Sequence, residues 1–171
     1  MKNLDYKITH FMQYKLSKPW LDRIMMFFTF LGDYCLIWLV ITVSLWVLGE
    51  KRIAYLMVAT LLVTNAINNG FIKALFRRKR PFEVYDDITI FISDPYGSSF
   101  PSGHSATGFC CAVMISVYNP LFGVLAYLLA ASIAFSRMYL RVHFFSDVLV
   151  GCLTGIFCSL LLLSYFGHFI R

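Results

Sequence analysis

Charge is scarce in this chain. Of its 171 residues only 14% are charged and 59% are hydrophobic, against about 25% charged and 45–50% apolar in an ordinary soluble domain; mean hydropathy is +0.70. A soluble domain would spread its polar residues along every amphipathic element, whereas here they gather in a few short stretches. The same composition excludes disorder, a collagen-like repeat and a coiled coil. Cysteines lack the spacing of a disulfide scaffold or a zinc site: Cys35, Cys110, Cys111, Cys152 and Cys158 all lie inside apolar runs and read as small packing residues. Met1 to Lys18 lacks the apolar core and small-residue cleavage site of a signal peptide and carries Lys2, Lys7, Lys15 and Lys18 throughout. The net charge is +6, yet no basic stripe alternates with exposed aromatics as nucleic-acid binding requires. An anionic lipid surface or a phosphate-bearing substrate fits that charge better.

Five apolar segments are present, approximately Ile24–Leu48, Ile53–Phe76, Gly103–Tyr118, Leu121–Tyr139 and Phe144–Phe166. A bilayer core about 30 Å thick asks for roughly 20 helical residues each, which leaves the third short. Pro19, Pro81, Pro95, Pro101 and Pro120 all fall between segments, as expected of residues that break a helix interior. Leu4, Ile8, Phe11, Met12 and Leu16 recur at helical spacing and predict an amphipathic interfacial helix over 1–19. The expected fold is all-α and integral to the membrane, one domain over 1–171. Alternation of the spans puts the loop 77–102, the start of the third span, the end of the fourth and the start of the fifth on one membrane side. Charge counting would call that side cytoplasmic, but cations recruited to bind phosphate are not free topology signals.

Three polar clusters lie on that side. Lys73, Arg77 and Arg80 are spaced i, i+4, i+7, so on a continuing helix they share a face and converge on one anion; a basic run closing a span also serves as a headgroup anchor. Pro101 and Ser102 open a helix whose first N–H groups lack intrahelical partners. Gly103 lets that backbone approach a phosphate, and His104 sits where it can protonate a bound oxygen; the alternative is a plain helix cap. His143 and Asp147 are i, i+4, so the carboxylate is expected to accept the Nδ1–H bond and leave Nε2 free to attack, or else to form a structural pair.

Lys73, Arg80-Pro81, Pro101-Ser102-Gly103-His104, Ser136-Arg137, His143 and Asp147 resemble the signature of the type-2 phosphatidic acid phosphatase family, in order and in spacing. The resemblance implies hydrolysis of a lipid phosphomonoester or diphosphate through a phosphohistidine, without metal or other cofactor. His143 would be nucleophile, Asp147 its orienting partner and His104 the general acid. Lys73, Arg80 and Arg137 would bind phosphoryl oxygens with the Ser102 hydroxyl and the Gly103 amide. No cluster has the carboxylates of a two-metal site. Small bacterial members suggest undecaprenyl diphosphate as substrate, with phosphatidylglycerol phosphate, phosphatidate and lipid A phosphates as alternatives. They also suggest a cell-membrane protein whose active site faces away from the cytoplasm. Typical members have six spans, one more than counted here. Soluble vanadate haloperoxidases share the signature but not the apolar spans; a lipid-binding or transport protein would not need His143 or Asp147. The sequence specifies no oligomer.

Three further features stand apart from the signature. Asp33, inside the first span, wants a cationic partner, and Arg77 or another basic residue of the pocket is the expected one. Asn65, Asn68 and Asn69 fit interhelical hydrogen bonding. The loop Phe82–Phe100 carries Glu83, Asp86, Asp87 and Asp94 without a base and reads as a solvated connection or a lid.

Overall fold

The computed structural model describes residues 2–93, 95 and 97–166, and every regular element among them is helical. Asp94, His168 and the tail to Arg171 lie outside the described residues. The chain opens with α1 (Lys2–Phe11), continued by a π-helical turn, Met12–Leu16. Pro19 then occupies the first position of α2 (Pro19–Gly32), where its missing N–H would have had no intrahelical partner. The first span therefore starts earlier than expected. It is also broken: a 3-10 turn, Asp33–Cys35, puts Tyr34 and Cys35 at φ 51° and 60° before α3 (Leu36–Val47) resumes. Left-handed non-glycine residues cost about 1–2 kcal/mol each and persist only where the surroundings fix them.

The second span is α4 (Lys51–Asn65), a π-helical stretch Ala66–Ile72, and α5 (Lys73–Phe76). After α6 (Pro81–Val84) come α7 (Gly103–Tyr118), α8 (Pro120–Tyr139) and α9 (Phe145–Phe166). Asn119 caps α8 by accepting from the Leu121 and Phe122 amides, with Pro120 at its first turn.

Among the described residues four segments can cross a membrane by length and composition: Pro19–Val47, Lys51–Val84, Pro120–Tyr139 and Phe145–Phe166. The chain is a multi-pass membrane protein. The third expected span, α7, has 16 residues, about 24 Å at 1.5 Å per residue. It can be short because protein rather than lipid surrounds it: α7 packs against α4, α8 and α9, with Ala106, Cys110, Cys111, Ala112 and Met114 fully buried. Around it the outer helices expose Val43, Leu62, Leu128, Leu153 and Phe157, the large apolar surface of a protein that lipid covers.

The α7–α9 contact depends on two glycines one turn apart. A Cβ on Gly155 would fall 2.1 Å from the Ala106 carbonyl oxygen, and one on Gly151 2.5 Å from that of Ser102. Small residues let membrane helices approach backbone to backbone in this way.

The N-terminal helix departs from its expected role. Leu4 and Phe11 are exposed, but Met12 is buried with Met25, Tyr139 and Leu140, and Ile8 and Leu16 pack beside them. The same face is fastened to the protein by Asp5, which accepts from the Ser146 amide at 3.0 Å and hydroxyl at 2.6 Å. α1 is docked on α9, so it lies on the side that carries the polar clusters.

Gly155→Ala should lower stability by about 1–3 kcal/mol, the cost of overpacking against backbone that cannot move aside. Gly70→Ala, where a Cβ meets open space, should leave stability within about 0.5 kcal/mol. Thermal unfolding in detergent micelles compares the two; equal midpoints would mean that α7 and α9 are not held in hard contact.

Candidate active site

A cavity of about 490 Å³ opens at the end of the bundle that carries the clusters. Its lining includes Lys73, Arg80, Gly103, His104, Arg137 and His143, and no described lining residue is a carboxylate. Six of the eight expected site residues thus meet there. Ser102 and Asp147 do not reach the wall. Ser102 is fully buried as the cap of α7, its hydroxyl accepting from the Ser105 amide at 3.4 Å and hydroxyl at 2.9 Å. Asp147 is buried behind His143.

The expected Lys73–Arg77–Arg80 face does not form, because the helix stops at Phe76 and Arg77 turns left-handed at φ 38°. Arg77 is exposed and off the cavity. The chain reverses and Arg80 caps α6, its amide donating to the Glu83 carboxylate at 2.6 Å. Buried Arg80 Nη1 donates to the Val142 carbonyl at 2.8 Å, and Nε to that of Gly97 at 3.3 Å. Arg137, in the last turn of α8, donates from Nη1 to Thr29 Oγ1 at 2.5 Å. Its Nε is buried with no partner among the described residues. A buried donor without an acceptor is costly, and in a cavity it marks where an anionic oxygen fits. The asparagines bond along the second span, Asn69 to Asn65 and Asn68 to Asn69 at 3.2 Å, and Asn65 also meets Cys35 of the first span.

His143 is not on a helix with Asp147. It lies in the turn before α9, after Arg141 at φ 60°. Nδ1 is 2.7 Å from the Ser99 carbonyl oxygen and 3.7 Å from Asp147 Oδ2, so the direct bond expected to Asp147 is not made. A carbonyl only accepts, which places the proton on Nδ1 and the lone pair on Nε2, 3.5 Å from Arg80 Nη1. Burial, then the charges of Arg137, Arg80 and Lys73, hold the His143 pKa well below its ordinary value, so the ring is neutral at neutral pH. Ser99 links the two residues: its hydroxyl donates to Asp147 Oδ2 at 2.5 Å. Asp147 also accepts from the Phe144 amide at 2.8 Å and from Arg78 at 2.6 Å. On the far side of the cavity His104 Nε2 lies 2.8 Å from Asp33 Oδ1. Asp33 therefore pairs with His104 and not with Arg77.

Sequence reasoning missed Arg78, Asp5 and Ser99. Arg78 Nη1 reaches Ser146 and Asp147, Nη2 reaches Asp5 at 2.8 Å, and the guanidinium lies 4.2 Å over the Phe144 ring. Helical spacing selected Arg77 instead. The available signal was Pro81, which biases Arg80 away from helix and makes a break before it. The acidic loop is tied to the π-helical turn after α1: Asp87 accepts from Tyr14 at 3.0 Å and, through its carbonyl, from Gln13 at 2.7 Å. Pro95 completes the cavity wall.

Residues 52–171 match the family described as the PAP2 superfamily. YbjG of Escherichia coli K12, named provisionally an undecaprenyl-diphosphatase, is 31% identical over 142 residues, 81% of this chain and 70% of that protein. Another relative is matched over 64 residues, only 11% of its length. The crystal structure of LpxE from Aquifex aeolicus superposes with a TM-score of 0.83 at 26% identity, covering 94% of each chain. That of a transmembrane PAP2-type phosphatidylglycerolphosphate phosphatase from Bacillus subtilis gives 0.78 at 25% identity, covering 96% of this chain and 85% of that one. These likenesses group the chain with multi-pass membrane phosphatases of lipid phosphates.

The Asp5 contacts generate a pH-dependent prediction. Burial raises the Asp5 pKa, but the bonds from Ser146 and Arg78 outweigh it and hold the carboxyl below its ordinary value. Such a group stabilises above its unfolded pKa, and its contribution disappears as pH falls through the lower folded pKa. Asp5→Ala should cost about 1–3 kcal/mol at neutral pH, and its unfolding curve should converge on wild type in acid. A gap that stayed constant into acid would mean that the ionised carboxylate is not what fastens α1.

Proposed function

This chain belongs to the PAP2 superfamily, and from that premise we propose that it hydrolyses the phosphate or diphosphate headgroup of a membrane lipid through a phosphohistidine on His143. The observation that carries the reading is the convergence of Lys73, Arg80 and Arg137 on one cavity, between two histidines and with no carboxylate among the described lining residues. Such a wall suits a phosphoryl group, whose transfer depends chiefly on positioning and charge stabilisation. His143 Nε2, bare and neutral, attacks phosphorus; the bond to the lipid oxygen breaks and His104 supplies a proton to that oxygen. Water then cleaves the N–P bond, returning a proton to His104 and releasing inorganic phosphate. The three cations and the Gly103 amide hold the non-bridging oxygens throughout. Ser102 acts through the helix cap that presents Gly103. Asp147 acts through Ser99, whose carbonyl fixes the His143 tautomer.

For the lipid, we take undecaprenyl diphosphate first, supported by the name of YbjG, with phosphatidylglycerol phosphate next, supported by the Bacillus subtilis structure. The protein is placed in the cell membrane with the cavity facing away from the cytoplasm. A cysteine at exposed Lys79 should then react with a membrane-impermeant maleimide added to intact cells. Labelling only after lysis would reverse the orientation.

Phosphate release by the purified protein, measured over undecaprenyl diphosphate, phosphatidylglycerol phosphate, phosphatidate and lipid A, tests the activity and ranks the substrates. Release should persist in excess EDTA and be inhibited by vanadate, a mimic of the transferring group. His143→Ala should abolish turnover while vanadate still binds. Near-wild-type turnover in that variant would eliminate the phosphohistidine, and a strict magnesium requirement would eliminate the metal-free scheme.

A further inference from the structure

The broken first span lies before residue 52, where the family match begins, yet at the break the last turn of α2 touches two of the cavity's cationic and titratable side chains. Thr29 Oγ1 accepts from Arg137, and one turn later Asp33 Oδ1 meets His104 Nε2. Between them Gly32 is packed against the imidazole. A Cβ there would fall 2.6 Å from His104 Cδ2 and 2.8 Å from Ile133 Cγ2, so only glycine lets the ring seat against α2. The 3-10 turn that follows, with two left-handed residues, is what turns the Asp33 carboxylate to the ring edge that Gly32 admits.

We propose that Asp33 is the positioning residue of the general acid, holding His104 in the orientation and charge state that lipid departure requires. This rests on the phosphatase reading above. A carboxylate only accepts, so Nε2 carries a hydrogen bonded to Asp33, and the nitrogen left to exchange a proton with substrate is Nδ1. With both nitrogens protonated, the carboxylate on the ring's far edge offsets the charge that Arg137 and Lys73, on the same cavity wall, oppose. As the P–O bond to the lipid breaks, the Nδ1 proton passes to the departing oxygen and the ring is left neutral, its Nε2–H still on Asp33. Water attacking the phosphohistidine returns a proton to Nδ1. Asp33 itself touches no reacting atom.

A general acid matters most when the departing oxygen is strongly basic. Asp33→Asn keeps the size of the side chain and removes its charge, so its effect should depend on the leaving group. With the full-length protein in micelles, kcat on dioctanoyl phosphatidate, which expels an alkoxide, should fall about ten- to a hundredfold with KM little changed. On 4-nitrophenyl phosphate, whose leaving group needs no proton, kcat should stay within about threefold. Asp33→Glu, which restores the charge, should recover part of the phosphatidate rate and carries the same comparison if the Asn variant does not fold. Equal losses on both substrates would reduce Asp33 to a structural role, and no loss on either would leave it none; both overturn the proposal while the phosphatase stands. A wild-type protein that releases phosphate from neither of these nor from undecaprenyl diphosphate or phosphatidylglycerol phosphate overturns the phosphatase reading and this proposal with it.

Discussion

Cations gathered inside an apolar bundle repel one another unless an anion joins them, and the placement of every other charge at this site follows from that. Lys73, Arg80 and Arg137 share a cavity, and at short range in a medium of low effective dielectric their repulsion is severe. No described residue of the wall is a carboxylate that could relieve it. Among the described residues Arg80 donates to the Val142 and Gly97 carbonyls and Arg137 to the Thr29 hydroxyl, acceptors that fix each guanidinium in place. The carboxylates stand one layer back: Asp147 on Ser99 and Arg78, Asp33 on His104, Glu83 on the Arg80 amide. A cavity so arranged stays positive, which is the condition for drawing in a phosphate.

That second layer is drawn in good part from the first third of the chain. Asp5 fastens Arg78 and Ser146, Gln13 receives the Thr89 amide and Arg141 Nη1, and Thr29, Gly32 and Asp33 seat two cavity side chains. The region carrying the signature, Lys73 to Asp147, supplies the cationic and imidazole groups that face the cavity. Their geometry depends on helices that precede it.

What could be read from the sequence divides along the same line. Apolar runs bounded by prolines located the long helices, because burial in lipid or protein demands continuous apolar sequence whichever it is; α7 shows the ambiguity, being apolar and central yet shorter than a span. Residues identified by chemistry and spacing met in space where the backbone between them was regular. They separated where it was not: Arg77 left the cavity because the helix ended one residue earlier, and His143 missed a direct bond to Asp147 because it precedes α9. Arg78, Ser99 and Asp33 act through contacts between segments distant in the chain. No periodicity encodes such contacts, since they exist only after the helices have packed.

The glycine contact between α7 and α9 acts as a steric ruler between His104, at the head of one helix, and Asp147, in the first turn of the other. At Gly151 and Gly155 the separation of the two axes is set by the thickness of backbone atoms, with no side chain that could change rotamer to lengthen or shorten it. Compression meets a carbonyl oxygen at once, and expansion opens a slot that neither lipid nor water can fill. The spacing across the site is therefore stiff in both directions, and conformational freedom during a catalytic cycle is left to the loops and side chains around it.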